Sequence, residues 1–283
     1  MKRSSLGAAV TAAACLIGLT LAGSTWAADG VGDGGRAAPI RDADGVLACM
    51  RANLPQSVRI QTIELEAVDR TGSARVLRGR LYARRDADGP PGGRVRAMLR
   101  IDAPDYLAGA AYLVRELEAD QQDGMYVYLP SVRRVRRVSG DFADGALLGT
   151  DFSYYDFKQI QSVFGETEVA YVSTAELAGR PTYVLEFRRS ADARSPYSLI
   201  RSQIDQQTCV PLQTEFYEGE AVHKRFSASA EALQQAGGHW YLTESRMDDL
   251  KERTHTLLRI LDVRADEPVP GRYFNPNLFY EGG

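Results

Sequence analysis

From residue 58 to residue 263 the chain repeats one pattern: short segments in which apolar and polar residues alternate, closed by Gly, Asp or Pro. A two-residue period puts successive side chains on opposite faces, so such segments form half-buried strands. Residues 94–101 show it without a fault, with Val95, Ala97, Leu99 and Ile101 on one side and Arg94, Arg96, Met98 and Arg100 on the other. Residues 58–68 and 76–83 flank Arg70-Thr71-Gly72-Ser73, a hairpin signal. Residues 111–117, 125–129, 169–175, 181–188, 197–205, 211–217, 222–228, 239–247 and 254–263 complete the series. In the first segment the apolar phase switches between Ile60 and Ile63, which predicts a bulge.

Short connections make neighbouring strands antiparallel, so the expected fold class is mainly β with a few helices. About eleven strands at ~4.8 Å spacing span ~50 Å, close to the size at which a twisted sheet curls or splits. The expected form is an unclosed antiparallel half-barrel with helices covering its hollow face. One helix is expected over residues 45–53, capped by Asp42 or Asp44. Val46, Leu47, Met50 and Leu54 share its face, and Pro55 ends it.

Residues 1–28 read as a secretory signal peptide. Lys2 and Arg3 precede an apolar run over 6–21, and small residues surround Ala27 and Ala28. Residues 29–40 read as a flexible segment, leaving 41–283 as a single domain. The formal charge of −3 becomes −5 without the two cations Lys2 and Arg3, which argues against nucleic acid as a partner. Cys49 and Cys209 follow the leader. In an exported chain they form one disulfide or remain two buried thiols, because sequence does not show proximity.

Residues 125–157 hold the densest chemistry. Met125-Tyr126-Val127-Tyr128-Leu129 reads as a strand stopped by Pro130. Arg133, Arg134, Arg136 and Arg137 follow, with three readings: a charged sheet edge, partners for Asp141, Asp144, Asp151 and Asp156, or contacts to anionic headgroups or an acidic partner. Asp151 is expected to cap a short helix, with Ser153 in its first turn and Asp156 solvated or paired with arginine. Leu147, Leu148, Phe152, Tyr154, Tyr155 and Phe157 are too apolar for a free loop and should face the sheet. They are core, or they form a lid that moves about Gly140, Gly145 and Gly149.

Signatures of catalysis are missing. There is no Gly-x-Ser-x-Gly elbow, no His-Glu-x-x-His, no phosphate loop and no dinucleotide fingerprint. His223, His239 and His255 fall on three late strands and read as ordinary histidines. No enzyme activity, cofactor or metal is expected.

Met125 to Pro130, the Arg-Arg-Val-Arg-Arg-Val run and Gly149-Thr150-Asp151-Phe152-Ser153-Tyr154 together resemble a family of outer membrane lipoprotein-sorting proteins of the LolA-like type. The central motif is specific, and the leader, N-terminal helix and strand series extend the likeness over most of the chain. Typical members have an acidic residue where this chain has Tyr155, so that acid's role does not carry over. The resemblance implies a half-barrel whose cavity takes acyl chains across the periplasm. It also implies a possible RND-type inner-membrane transporter as partner.

The expected function is therefore a periplasmic carrier of lipoprotein acyl chains or another lipid between the inner and outer membranes, with transient membrane contact. Phe142, Leu147, Leu148, Phe152, Tyr154 and Phe157 are the expected lid. Val95, Leu99, Ile101, Met125 and Val127 are the expected cavity wall. A charged residue at Phe152 or Leu148 is expected to reduce lipid retention without unfolding. The rival reading is a periplasmic protein-binding module, an adaptor or sensor for a transporter or an envelope regulator.

Overall fold

The computed structural model describes residues 40–87, 89, 92–117, 124–162, 167–189 and 197–281. The signal-peptide reading of 1–28, and nearly all of the segment 29–40, lie outside them. The strands are β1 (Val58–Val68), β2 (Ala74–Arg85), β3 (Val95–Ala103), β4 (Ala111–Arg115), β5 (Gly124–Leu129), β6 (Arg134–Arg137), β7 (Thr167–Leu177) and β8 (Arg180–Arg189). They continue as β9 (Leu199–Asp205), β10 (Pro211–Glu218), β11 (Ala221–Ser227), β12 (Leu233–Ala236), β13 (His239–Leu242), β14 (Glu244–Asp249) and β15 (Thr254–Glu267). Helix α1 is Ala43–Ala52 and helix α2 is Tyr154–Ile160.

Thirteen strands form one unclosed sheet in the order β6-β5-β4-β3-β2-β1-β15-β14-β11-β10-β9-β8-β7. Every ladder in it is antiparallel. The chain meanders outward from β1 to the edge strand β6. It re-enters at the opposite edge, β7, and meanders back until β15 pairs with β1. Residues 138–162, here called the strap, lie in the connection between the two edges and carry α2.

The described residues form fifteen strands where twelve segments alternate, for three reasons. Leu233–Ala236 forms β12. Arg134–Arg137 pairs with β5. Residues 239–247 are not one strand: Thr243 divides them. Its N–H donates to Ala232 O and its carbonyl accepts from Ile260 N, each at 2.8 Å. Before it, β13 pairs with β12 in a separate hairpin; after it, β14 joins the main sheet.

The phase switch in β1 marks a change of face. Val58 and Ile60 belong to one apolar cluster, Ile63 and Leu65 to the other. The β1–β2 ladder is regular. The shift lies on the β15 side, where Thr62 faces Asp262 and Ile63 faces Ile260, leaving Leu261 unpaired.

The larger cluster joins α1, the strap and one face of the sheet. Asp42 caps α1, accepting from Gly45 N at 2.7 Å, and Val46, Leu47 and Met50 point inward. The smaller cluster lies on the other face, where the C-terminal tail packs. Phe274 and Phe279 are buried there, and Tyr273 and Tyr280 sit against Tyr82 and Tyr128 with centroids 4.9 and 4.2 Å apart.

Candidate functional site: a strap and an apolar cavity on the helix-bearing face

The strap closes on itself before it meets the sheet. Leu147 N donates to Phe152 O at 2.7 Å, Ala146 and Ser153 form a bridge, and Thr150 Oγ1 donates to Leu147 O at 2.8 Å. Leu148 at φ 53° and Gly149 at φ 76° make the turn; a glycine takes that conformation freely and a leucine under strain.

Its anchors are polar and central. Asp151 accepts from Thr254 Oγ1 and from Thr256 Oγ1 at 2.6 Å, and its N–H donates to Thr256 Oγ1 at 2.9 Å. Arg75 donates to Gly149 O. Asp151 is thus not the helix cap. Ser153 is: its Oγ accepts from Asp156 N, and the Asp156 carboxylate accepts from Ser153 N, a reciprocal capping box.

Asp156 is fully buried. Besides the cap it accepts from Tyr197 Oη at 2.7 Å and Lys224 Nζ at 2.9 Å. Lys224 also donates to Asp151 O at 2.8 Å. Burial, then the adjacent Asp156 charge, push the Tyr197 phenol well above its ordinary pKa, so it stays a donor. The expected arginine partner of Asp156 is therefore a lysine from β11.

The expected lid residues are found mostly in the core. Leu147, Phe152, Tyr154 and Phe157 are buried. Leu148 packs partly against the same cluster, while Phe142 is 49% exposed and stacks on Tyr154 at 5.9 Å. Val95, Leu99, Ile101, Met125 and Val127 are buried in the same cluster. Tyr112 links the two layers, packing on Tyr154 and Phe157 and donating to Tyr154 O at 3.0 Å. Strap and sheet are in direct contact there.

An open cavity lies beside this packed region. Its volume is about 120 Å³, and its walls include Met50 and Leu54 from the end of α1, Ile160 at the end of α2, Leu81, Phe226, Leu258 and Ile260 from the sheet, and Trp240 and Leu242 from the β12–β13 hairpin. None of the expected lid or wall residues lines it. Two polar side chains from β1, Arg59 and Gln61, do.

Three ties hold the cavity's rim. Cys49 of α1 and Cys209 of the β9–β10 turn form a disulfide, with Cα atoms 5.7 Å apart. Asn53 donates to Thr208 O at 2.8 Å and accepts from Trp240 N at 3.0 Å, joining α1, the turn and the hairpin. Arg51 pairs with Glu116 at 2.5 Å, both nearly inaccessible, and reaches Ser162 O at 3.3 Å.

The hairpin was the part hidden from sequence reasoning. Trp240-Tyr241-Leu242 breaks the alternation expected of residues 239–247. Three apolar residues in a row fit a hairpin laid across a cavity better than a half-exposed strand.

The remaining candidates separate in space. Arg133, Arg134, Arg136 and Arg137 lie at the β6 edge and are exposed. His223 lies between Glu218 and Asp249, at 2.6 and 3.4 Å, while His239 Nδ1 is 2.8 Å from Ala52 O. Among the described residues no three His, Cys, Asp or Glu side chains gather closely enough to hold a metal. No described helix is long and apolar enough to cross a membrane.

An unclosed antiparallel sheet with a strap and helices over one face defines the LolA-type class of fold. Crystal structures that share it include these three. One is a DUF1329 family protein from Desulfovibrio piger, 21% identical over 83% of this chain and 97% of that one, with a TM-score of 0.72. Another is an outer membrane lipoprotein-sorting protein domain from Vibrio parahaemolyticus, 21% identical over 84% and 97%, with a TM-score of 0.71. The third is a LolA superfamily protein from Nitrosomonas europaea, 18% identical over 83% and 97%, with a TM-score of 0.63. These likenesses establish the fold. Residues 93–279 match the model of a family described as "Uncharacterized protein", and the chain belongs to that family. No curated protein matches the sequence.

Proposed function

We propose that this chain is a non-catalytic carrier that takes the acyl part of a lipid or lipoprotein into the cavity beneath the β12–β13 hairpin and moves it across the periplasm. One observation carries the reading: an apolar cavity walled by α1, α2 and a hairpin that stands apart from the main sheet. The likeness to a lipoprotein-sorting domain supports it. Transfer of a methylene from water contributes ~0.8 kcal/mol, so a single long chain supplies ample affinity. At about 120 Å³ the cavity is smaller than the ~300–1,000 Å³ of sites that enclose a drug-sized ligand. Loading then requires the roof to move, and a roof that competes with cargo also drives release.

In this reading residues 1–28 are a cleaved export signal, 29–40 a connector and 41–283 the carrier domain. The disulfide fits an oxidising compartment. Arg133, Arg134, Arg136 and Arg137 serve as the contact to anionic headgroups or to an acidic partner, including an RND-type transporter.

The test is mass spectrometry of organic extracts from mature protein purified from the periplasm without detergent, together with uptake of a fluorescent fatty acid. A stoichiometric lipid supports the carrier. One feature favours the rival, a protein-binding adaptor: Tyr154 and Phe157 of the strap already pack directly on Tyr112 of the sheet. An empty protein that takes up no fatty acid, yet crosslinks to one partner, establishes that rival.

A further inference from the structure

The cavity's wall is mostly apolar, with neutral polar groups from Asn53, Gln61, Gln161, Ser162, Tyr241 and Ser245, and among the described residues Arg59 is the one charged side chain that lines it. Arg59 lies on β1 directly under the end of α1 and is 8% exposed. Its Nη1 donates to Asn53 O at 2.9 Å, and its Nε–H has no acceptor. Among the described residues no carboxylate pairs with it, although ion pairs are abundant elsewhere: Arg51 of α1 and Arg78, Arg80, Arg180, Arg201 and Arg259 of the sheet all have one. Burial lowers its pKa to about 10, slightly offset by nearby Tyr241, so the guanidinium stays charged at neutral pH. Gln61, one pleat further on the same face, is also buried and also lines the cavity.

A buried cation without a counter-charge is costly. Folding alone gives no return for it, since one helix-end carbonyl needs only a neutral donor. An incoming anion returns it. The guanidinium fork suits the two oxygens of a carboxylate or the oxygens of a phosphate, and such charge-assisted hydrogen bonds are roughly twice as strong as neutral ones.

We propose that Arg59 receives the anionic head of an amphiphile inside the cavity, so that the cargo enters head first beneath the hairpin and its acyl chain lies along Leu81, Phe226, Leu258 and Ile260. The proposal rests on the carrier reading and narrows it: the ligand is an acidic lipid, with a carboxylate or phosphate head, rather than a neutral or fully esterified one.

The experiment measures displacement of a fluorescent fatty acid from mature protein by palmitate, hexadecyl phosphate, methyl palmitate and hexadecanol. The expected result is binding of the two anions about tenfold or more tighter than of the two neutral compounds, and the tighter anion identifies the head. In Arg59→Met that preference is lost while the chain still binds. Its unfolding midpoint without ligand is unchanged or raised, because a buried unpaired charge has gone. Equal affinity for all four in the wild type overturns the role of Arg59 and leaves the carrier standing. Binding of none of them overturns both. The wild-type comparison needs no variant, so it decides even if Arg59→Met does not fold. A retained anion preference in a destabilised Arg59→Met shows that Arg59 only holds the end of α1, and overturns the proposal.

Discussion

The ammonium of Lys224 lies 2.9 Å from Oδ2 of Asp156, with side-chain exposures of 9% and 0%. This pair fastens the strap helix to β11 across the helix-bearing face. Taking one partner away leaves the other charge buried, which costs about 3–5 kcal/mol. Lys224→Met should therefore lower the denaturant midpoint strongly. A double change to Lys224→Met with Asp156→Leu should cost less than the sum of the two singles, because no charge is stranded. Additive costs in a double-mutant cycle would show that the two charges do not act as a pair.

The Cys49–Cys209 bond closes a loop with a sequence separation of 160. A loop of that length predicts about 5 kcal/mol of stabilisation from the constrained unfolded chain, with about 2–5 kcal/mol usual on removal. Reduction, or Cys49→Ser with Cys209→Ser, should lower the urea midpoint accordingly. It should also loosen the cavity rim more than the tail-bearing face. Hydrogen exchange reads this directly: amides of α1 and the β9–β10 turn should lose protection first.

Asp205 sets an acid limit at that rim. Burial works to raise its pKa, but hydrogen bonds from Arg180 and Thr208 outweigh it and hold the carboxyl below its ordinary value. Arg180 donates through Nε and Nη2 at 2.7 and 2.9 Å. A depressed folded-state pKa means the unfolded chain binds more protons, so stability rises with pH in that range. The contribution is complete above the unfolded value of ~3.9 and is lost as pH falls through the lower folded value. Glu186 behaves alike, held down first by Arg201, against burial, with help from Arg188. Asp205→Asn should lower stability at neutral pH and flatten its decline below about pH 4. An unchanged acid slope would remove Asp205 from the account.

How much of this was legible depended on whether a feature was local. Strand alternation in residues 94–101 names its own two faces, and both faces are covered: Leu99 lies in the cluster that includes α1 and the strap, Met98 in the one that includes the tail. The phase switch in β1 was visible, but its bulge sits on β15, a partner far away in sequence. The short helix was expected, while its cap was misplaced by two residues because Asp151 is drawn off by Thr254 and Thr256. The site was legible only in part. Apolar strap residues announce burial, not whether they cover a cavity or fill it. The cavity itself, with its hairpin and Arg59, is lined by widely separated stretches of chain.

The tail is a second consequence of a wide sheet. Strands β2–β5 would expose Tyr82, Met98 and Leu113 on the face away from α1 if Phe274 and Phe279 did not cover them. Phe279 is fully buried although it lies near the end of the described chain. Phe279→Ala should cost about 3–5 kcal/mol, and a chain cut after Pro268 should bind a hydrophobic dye and self-associate. A monomeric, dye-silent truncation would mean that the tail is an accessory.

Phe152 and Leu148 separate the strap's two roles. Phe152 is 1% exposed within the core, so Phe152→Glu buries a charge without a partner and should unfold the chain. That revises the expectation that both positions accept a charge. Leu148 is half-buried at a strained turn, and Leu148→Asp should change stability by less than about 1 kcal/mol. If acyl chains reach Val95, Leu99 and Ile101 by lifting the strap, the charge at Leu148 weakens the strap's apolar seat over the loaded sheet more than over the empty one. Retention of a fluorescent fatty acid should then fall while unfolding stays cooperative. Full retention in Leu148→Asp assigns entry to the β12–β13 hairpin instead, and Trp240→Ala should then speed both uptake and loss.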